Sequence, residues 1–87
     1  MKIKGEFILR EIAGDTILIP VGESALKING MITLDPVAAL IWQSLEAGMD
    51  DDAIVARILE NFEVAEDVAR ADFGDFITQL RNADMVE

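Results

Sequence analysis

Cysteine, histidine and tyrosine are absent from the 87 residues, and tryptophan occurs once. Without cysteine there is neither a disulfide framework nor a thiolate metal site, which fits a reducing cytoplasm, the expected location. Without histidine or cysteine the commonest nucleophile–base pairs and transition-metal ligands are missing, so Ser24 and Ser44 have no imidazole to activate them. Long apolar runs are missing too. The longest uncharged helical stretch, residues 36–45, has ten residues, against the roughly 20 needed to span a bilayer. In "MKIKGEFILREIAG" the acid Glu6 and the base Arg10 break up any apolar region, which argues against a signal peptide. A soluble, intracellular protein is expected.

Bases are scarce. Seven lysines and arginines face seventeen acids, for a net charge of −10. The imbalance is uneven, because residues 1–34 hold four of each sign. Residues 35–87 hold the other thirteen acids against Arg57, Arg70 and Arg81. Such a surface repels polyanions, so neither nucleic acid nor an anionic membrane is an expected partner. What is present is apolar: 52% of the residues are hydrophobic, enough to fold despite the charge. The length suits one domain covering residues 1–87.

Branched residues fill 6–12 (EFILREI) and 16–22 (TILIPVG), separated by Ala13-Gly14-Asp15. They read as a β-hairpin with Gly14 in its turn and Pro20 at an edge or bulge. A third extended segment is expected over 26–34, broken or bent at Asn29-Gly30, a strong hairpin signal. Asp35-Pro36 then caps a helix with buried Val37, Leu40, Ile41, Trp42 and Leu45, ended by Gly48. Asp50-Asp51-Asp52 opens a second helix, whose apolar positions are Ile54, Val55, Ile58, Leu59 and Phe62. A third spans 66–82 with Ala69, Phe73, Phe76, Ile77 and Leu80 inward. Three strands followed by three helices make an α+β fold.

The chemistry is thin. Read as a calcium loop from Asp50, the triple aspartate puts Ile54 and Val55 at positions five and six and Asn61 at twelve, where an EF-hand needs a ligand, glycine and glutamate. No catalytic residue, metal or cofactor is expected, and enzyme activity is not predicted. Gly74, mid-helix, costs about 1 kcal/mol relative to alanine. Steps of about 100° from Phe73 put Ile77, Arg70, Arg81 and Gly74 on one flank of the third helix. Two readings are open. The glycine is a tolerated surface residue whose arginines balance neighbouring acids, or it admits another backbone between two positive charges. The residues by themselves favour the first.

The stretch "REIAGDTILIPVGESALKINGMITLDPVAALIW", with Gly14, Pro20-Val21-Gly22, Asn29-Gly30-Met31 and "ITLDPVAALIW", resembles the PqqD family of coenzyme pyrroloquinoline quinone (PQQ) biosynthesis. "FEVAEDVARADFGDFITQL" continues the likeness through Asp72, Phe76 and Leu80, so nearly the whole chain is covered. Asp35 stands where the family commonly has asparagine, and "RNADMVE" lacks the glycine usual in the final turn. The resemblance implies a winged-helix-like recognition element: an N-terminal three-stranded antiparallel sheet followed by a three-helix bundle. It implies that the leader of a ribosomally made, post-translationally modified peptide (a RiPP) adds as a strand beside the third strand. The module would act as a peptide chaperone for a modifying enzyme, often a radical S-adenosylmethionine protein, as monomer or homodimer. An open apolar strand edge beside a helix is what strand addition requires. On this mapping Lys27, Ile28, Met31, Ile32 and Thr33 supply the edge. Arg70, Phe73, Gly74, Ile77 and Arg81 line the opposite wall, with arginines suited to an acidic leader. The alternative from another class is a winged-helix-like regulatory or protein–protein interaction module with no part in peptide maturation.

Overall fold

Ile12 and Asp15 face each other across a two-residue turn in which Ala13 (φ 54°) and Gly14 (φ 86°) are both left-handed. That is a type I′ turn, whose twist matches the strands it joins. The computed structural model describes residues 1–28 and 30–87. Its elements are β1 (Glu6–Ile12), β2 (Asp15–Val21), α1 (Ser24–Lys27), β3 (Ile32–Leu34), α2 (Pro36–Glu46), α3 (Asp51–Asn61) and α4 (Glu66–Asn82). The three strands form one antiparallel sheet in the order β1-β2-β3. The architecture is the expected α+β, winged-helix-like one, with α1 as an addition.

The sheet alternates. Phe7, Leu9, Leu18, Ile32 and Leu34 turn toward the helices, while Ile8 and Ile12 stand on the outer face. Pro20 pairs with Phe7 on one side, but β3 reaches only Thr16–Leu18 on the other. The proline therefore sits where β2 has one neighbour, a place that tolerates a missing amide proton.

The extended segment expected over 26–34 is corrected. Gly22 (φ 59°) turns the chain, Ser24–Lys27 form one helical turn, and β3 is three residues long. The cause is tertiary. Ser24 is buried, its Oγ accepts from the Glu6 amide at 2.9 Å, and its carbonyl accepts from Ile28 N–H at 2.9 Å. Of the Asn29-Gly30 signal, Gly30 is left-handed (φ 83°) and Asn29 lies outside the described residues.

Two of the helices, α2 and α3, begin on aspartates. Asp35 Oδ1 accepts from Ala38 N and Asp50 Oδ1 from Ala53 N, each at 2.8 Å, satisfying amides that a first turn leaves open. The core is a single cluster in which Leu18, Ile41, Trp42, Ile54, Ile58, Phe76 and Met85 are all buried. Phe7 meets the Trp42 ring edge-on at 5.3 Å and 84°. Buried Ser44 clamps α2 to α3: its Oγ donates to Leu40 O at 2.7 Å and accepts from Arg57 Nη1 at 2.9 Å. After α4 the chain returns to its start, where Lys4 N donates to Met85 O and Ile3 bridges Val86. Among the described residues no helix is long and apolar enough to cross a membrane.

Candidate functional site

A strand three residues long at the end of a sheet has one edge satisfied and one open. β3 pairs with β2 through Leu34↔Thr16, Thr33↔Ile17 and Ile32↔Leu18, and among the described residues no other strand lies on its far side. Its alternation decides what that edge offers. Ile32 and Leu34 face inward, half-buried and buried, and Thr33 is exposed. Immediately after it, Asp35 caps α2 and fixes the angle at which that helix leaves the sheet. Natural edges are usually shielded by lysine, proline or a covering element. Ile32–Leu34 contain neither lysine nor proline, and among the described residues no strand pairs with their outer edge.

Beside this edge lies a groove of about 260 Å3, the space between β3, α2 and α4. Leu34, Ile41 and Phe76 form its floor, and Ile32, Val37 and Ala38 its apolar flank. Asp72, Asp75 and Gln79 on α4 make the far rim, with Asp35 and Thr33 on the near side. The spacing 72, 75, 76 and 79 is that of one helical face. Phe76 belongs both to that face and to the core stripe, so the helix turns a rim of carboxylates outward from a buried ring.

The rim is negative and unpaired. The three ion pairs among the described residues are Lys4–Asp84 (2.6 Å), Arg70–Asp52 (3.3 Å) and Arg70–Glu66 (3.2 Å). None involves Asp35, Asp72 or Asp75. The hydrogen bonds that Arg70 donates to Glu66 and then to Asp52 hold its guanidinium above its usual range, so its charge is already engaged between the starts of α3 and α4. Asp84 is lowered and Lys4 raised by their mutual hydrogen bond, at the other end of the molecule's helical layer. The groove holds apolar surface, one hydroxyl, one amide and three carboxylates, and no histidine or cysteine exists to add to them.

Of the residues proposed for the site from sequence, the structure brings Ile32 and Thr33 to the groove. Lys27 lies instead on α1, beside a second hollow with Lys4, Glu23 and Asp84, and half-buried Ile28 shares that hollow. Met31, 62% exposed, precedes β3 and is outside the groove lining. Phe73 and Ile77 are core residues. Arg70, Gly74 and Arg81 stand on the flank of α4 away from the groove, and a Cβ on Gly74 would meet nothing within 4 Å. The flank expected as the opposite wall and the groove lie on different sides of α4: taking Phe73 as zero, the groove face lies on one side of the stripe and the arginine flank on the other. Periodicity finds the stripe but does not say which flank β3 approaches. The α2 contribution carries no signal of its own in the sequence, because Val37 and Ile41 fit the buried stripe of that helix equally well.

Residues 15–86 match the model of the family described as Coenzyme PQQ synthesis protein D (PqqD). The fold is similar to a solved structure described as TbiB1 in complex with the TbiA(beta) leader peptide. The TM-score is 0.78 with 26% sequence identity, covering all of this chain and 95% of that one. No curated protein matches the chain.

Proposed function

Because the chain belongs to the PqqD family, we propose that it is a non-catalytic binding protein for the leader of a ribosomally synthesised precursor peptide. The leader adds as a fourth strand to the open edge of β3, and its inward side chains enter the groove between β3, α2 and α4. The bound precursor is then presented to a modifying enzyme, of the radical S-adenosylmethionine class or another, in the cytoplasm where such peptides are made.

The observation that carries this reading is the open edge of β3 lying directly against a groove of about 260 Å3 with an apolar floor and a rim of carboxylates. Strand addition draws affinity from main-chain hydrogen bonds and specificity from pockets for alternate side chains, and both parts are at hand. The similarity to a fold solved with a leader peptide supports the same assignment. Calorimetric titration tests it with short precursors encoded beside the gene, each supplied whole, as leader alone and as core alone. Whole precursor and leader should bind with equal affinity and the core should not bind. Binding carried by the core segment would contradict the proposal.

A further inference from the structure

We infer that the segment of peptide seated on this groove carries a lysine or arginine among its apolar residues, placed against Asp72 and Asp75. The inference rests on the leader-binding reading and adds the chemistry of the occupant. The aspartates are not a site in themselves. They are the rim of a groove that already has an apolar floor in Leu34, Ile41 and Phe76 and an open strand edge in Ile32–Leu34.

Three facts point to a cation. First, Asp72 and Asp75 lie on the groove side of α4 and share an ion pair with none of the seven bases, while Arg70 bonds to Glu66 and Asp52 instead. Second, Asp35 adds a carboxylate at the near side, and its Oδ1 is committed to the Ala38 amide. Third, the helical half of the chain bears the whole of the −10 charge, so its long-range field adds to the local one. An acidic strand laid here would set like charges against each other over partly desolvated surface, which disfavours it as a partner. Helix positions three apart rise only about 4.5 Å, so one ammonium or guanidinium group reaches both aspartates. Successive inward side chains of a strand are about 6.8 Å apart, so its neighbours on that face pass the cation and fall toward the apolar floor. The occupant is an apolar strand with a basic residue on its inward face. This reverses the charge that Arg70 and Arg81 suggest when read from sequence.

The test uses a displayed library of random twelve-residue peptides selected on the whole protein. A selected sequence is then synthesised with its basic residue intact or changed to glutamine. Lysine and arginine should be enriched over aspartate and glutamate at positions flanked by apolar residues. The basic peptide should bind the Asp72→Asn/Asp75→Asn double variant about fivefold more weakly than wild type, with the gap closing in high salt. The glutamine peptide should bind both proteins alike. Binders that shift the amides of β3, yet show no basic enrichment and equal affinity for the double variant, overturn the inference and leave the leader-binding reading standing. An absence of binders, or binders that leave the β3 amides unmoved, overturns both.

Discussion

Replacing Gly74 with alanine separates what α4 does for stability from what it does for binding. The residue is exposed in the middle of a 17-residue helix, and an added Cβ has no heavy atom within 4 Å. Nothing has to move. The one local bond at risk, Thr78 Oγ1 to Gly74 O at 2.9 Å, uses the main chain and survives. The gain is therefore the helix propensity alone, about 1 kcal/mol, which for a domain of this size raises the melting temperature by about 4–8 °C. Leader affinity should stay within a factor of two, because Gly74 is outside the groove lining. Thermal denaturation followed by circular dichroism gives the first number and calorimetry the second. A melting temperature that falls, or an affinity that drops tenfold while stability rises, would refute the placement of the binding face. The latter result would restore the flank of Arg70, Gly74 and Arg81 as the wall of the site.

Ser44→Ala should destabilise the fold by about 1–2 kcal/mol, read from urea unfolding, because it removes the buried link between Leu40 O and Arg57. An unchanged midpoint would mean that the clamp between α2 and α3 contributes nothing. Ala13→Asn should stabilise by some tenths to about 1 kcal/mol, since asparagine tolerates the left-handed backbone that alanine holds there at φ 54°; a lower melting temperature would contradict the type I′ turn. The Lys4–Asp84 pair has a defined pH signature. Asp84 is depressed below 3.8 and Lys4 raised above 10.5, so the carboxylate's contribution is present above its unfolded value and is lost as pH falls through the lowered one. The ammonium's contribution is present below 10.5 and is lost as pH rises through its raised value. The melting-temperature difference between wild type and Asp84→Asn should accordingly stay flat from about pH 5 to 9 and vanish in strong acid; a slope within that range would show that another group governs it.

The helices were legible because their signals are local. Asp35 and Asp50 cap where the residue types say they should, and α4 runs over the expected span with Ala69, Phe73, Phe76, Ile77 and Leu80 all buried. The β1–β2 hairpin was legible from Gly14 in the same way. What failed depends on distant partners. Ser24-Ala-Leu-Lys is too short to show a period, and it coils because the Glu6 amide needs the Ser24 hydroxyl. Met85 and Val86 are buried against the first residues of the chain, a contact across some eighty positions that no window reveals. For the groove, the strand side at Ile32 and Thr33 was readable, since both are apolar or neutral and precede a cap. The helix face beside the groove was not, because a stripe centred on Phe73 has two flanks of opposite charge and only the packing of α2 against α4 puts Asp72 and Asp75, rather than Arg70 and Arg81, beside the groove.

The central claim is that a peptide strand pairs with β3 and enters the groove under α4. Isotope-filtered NMR of the labelled protein with an unlabelled leader measures this directly, by the intermolecular contacts and by amide exchange in β3. The account predicts contacts from peptide side chains to Ile32 and Phe76, and slowed exchange of at least one amide within Ile32–Leu34 on binding. Contacts confined to Arg70, Gly74 and Arg81 or to the outer face at Ile8 and Ile12, with β3 exchange unchanged, would contradict it.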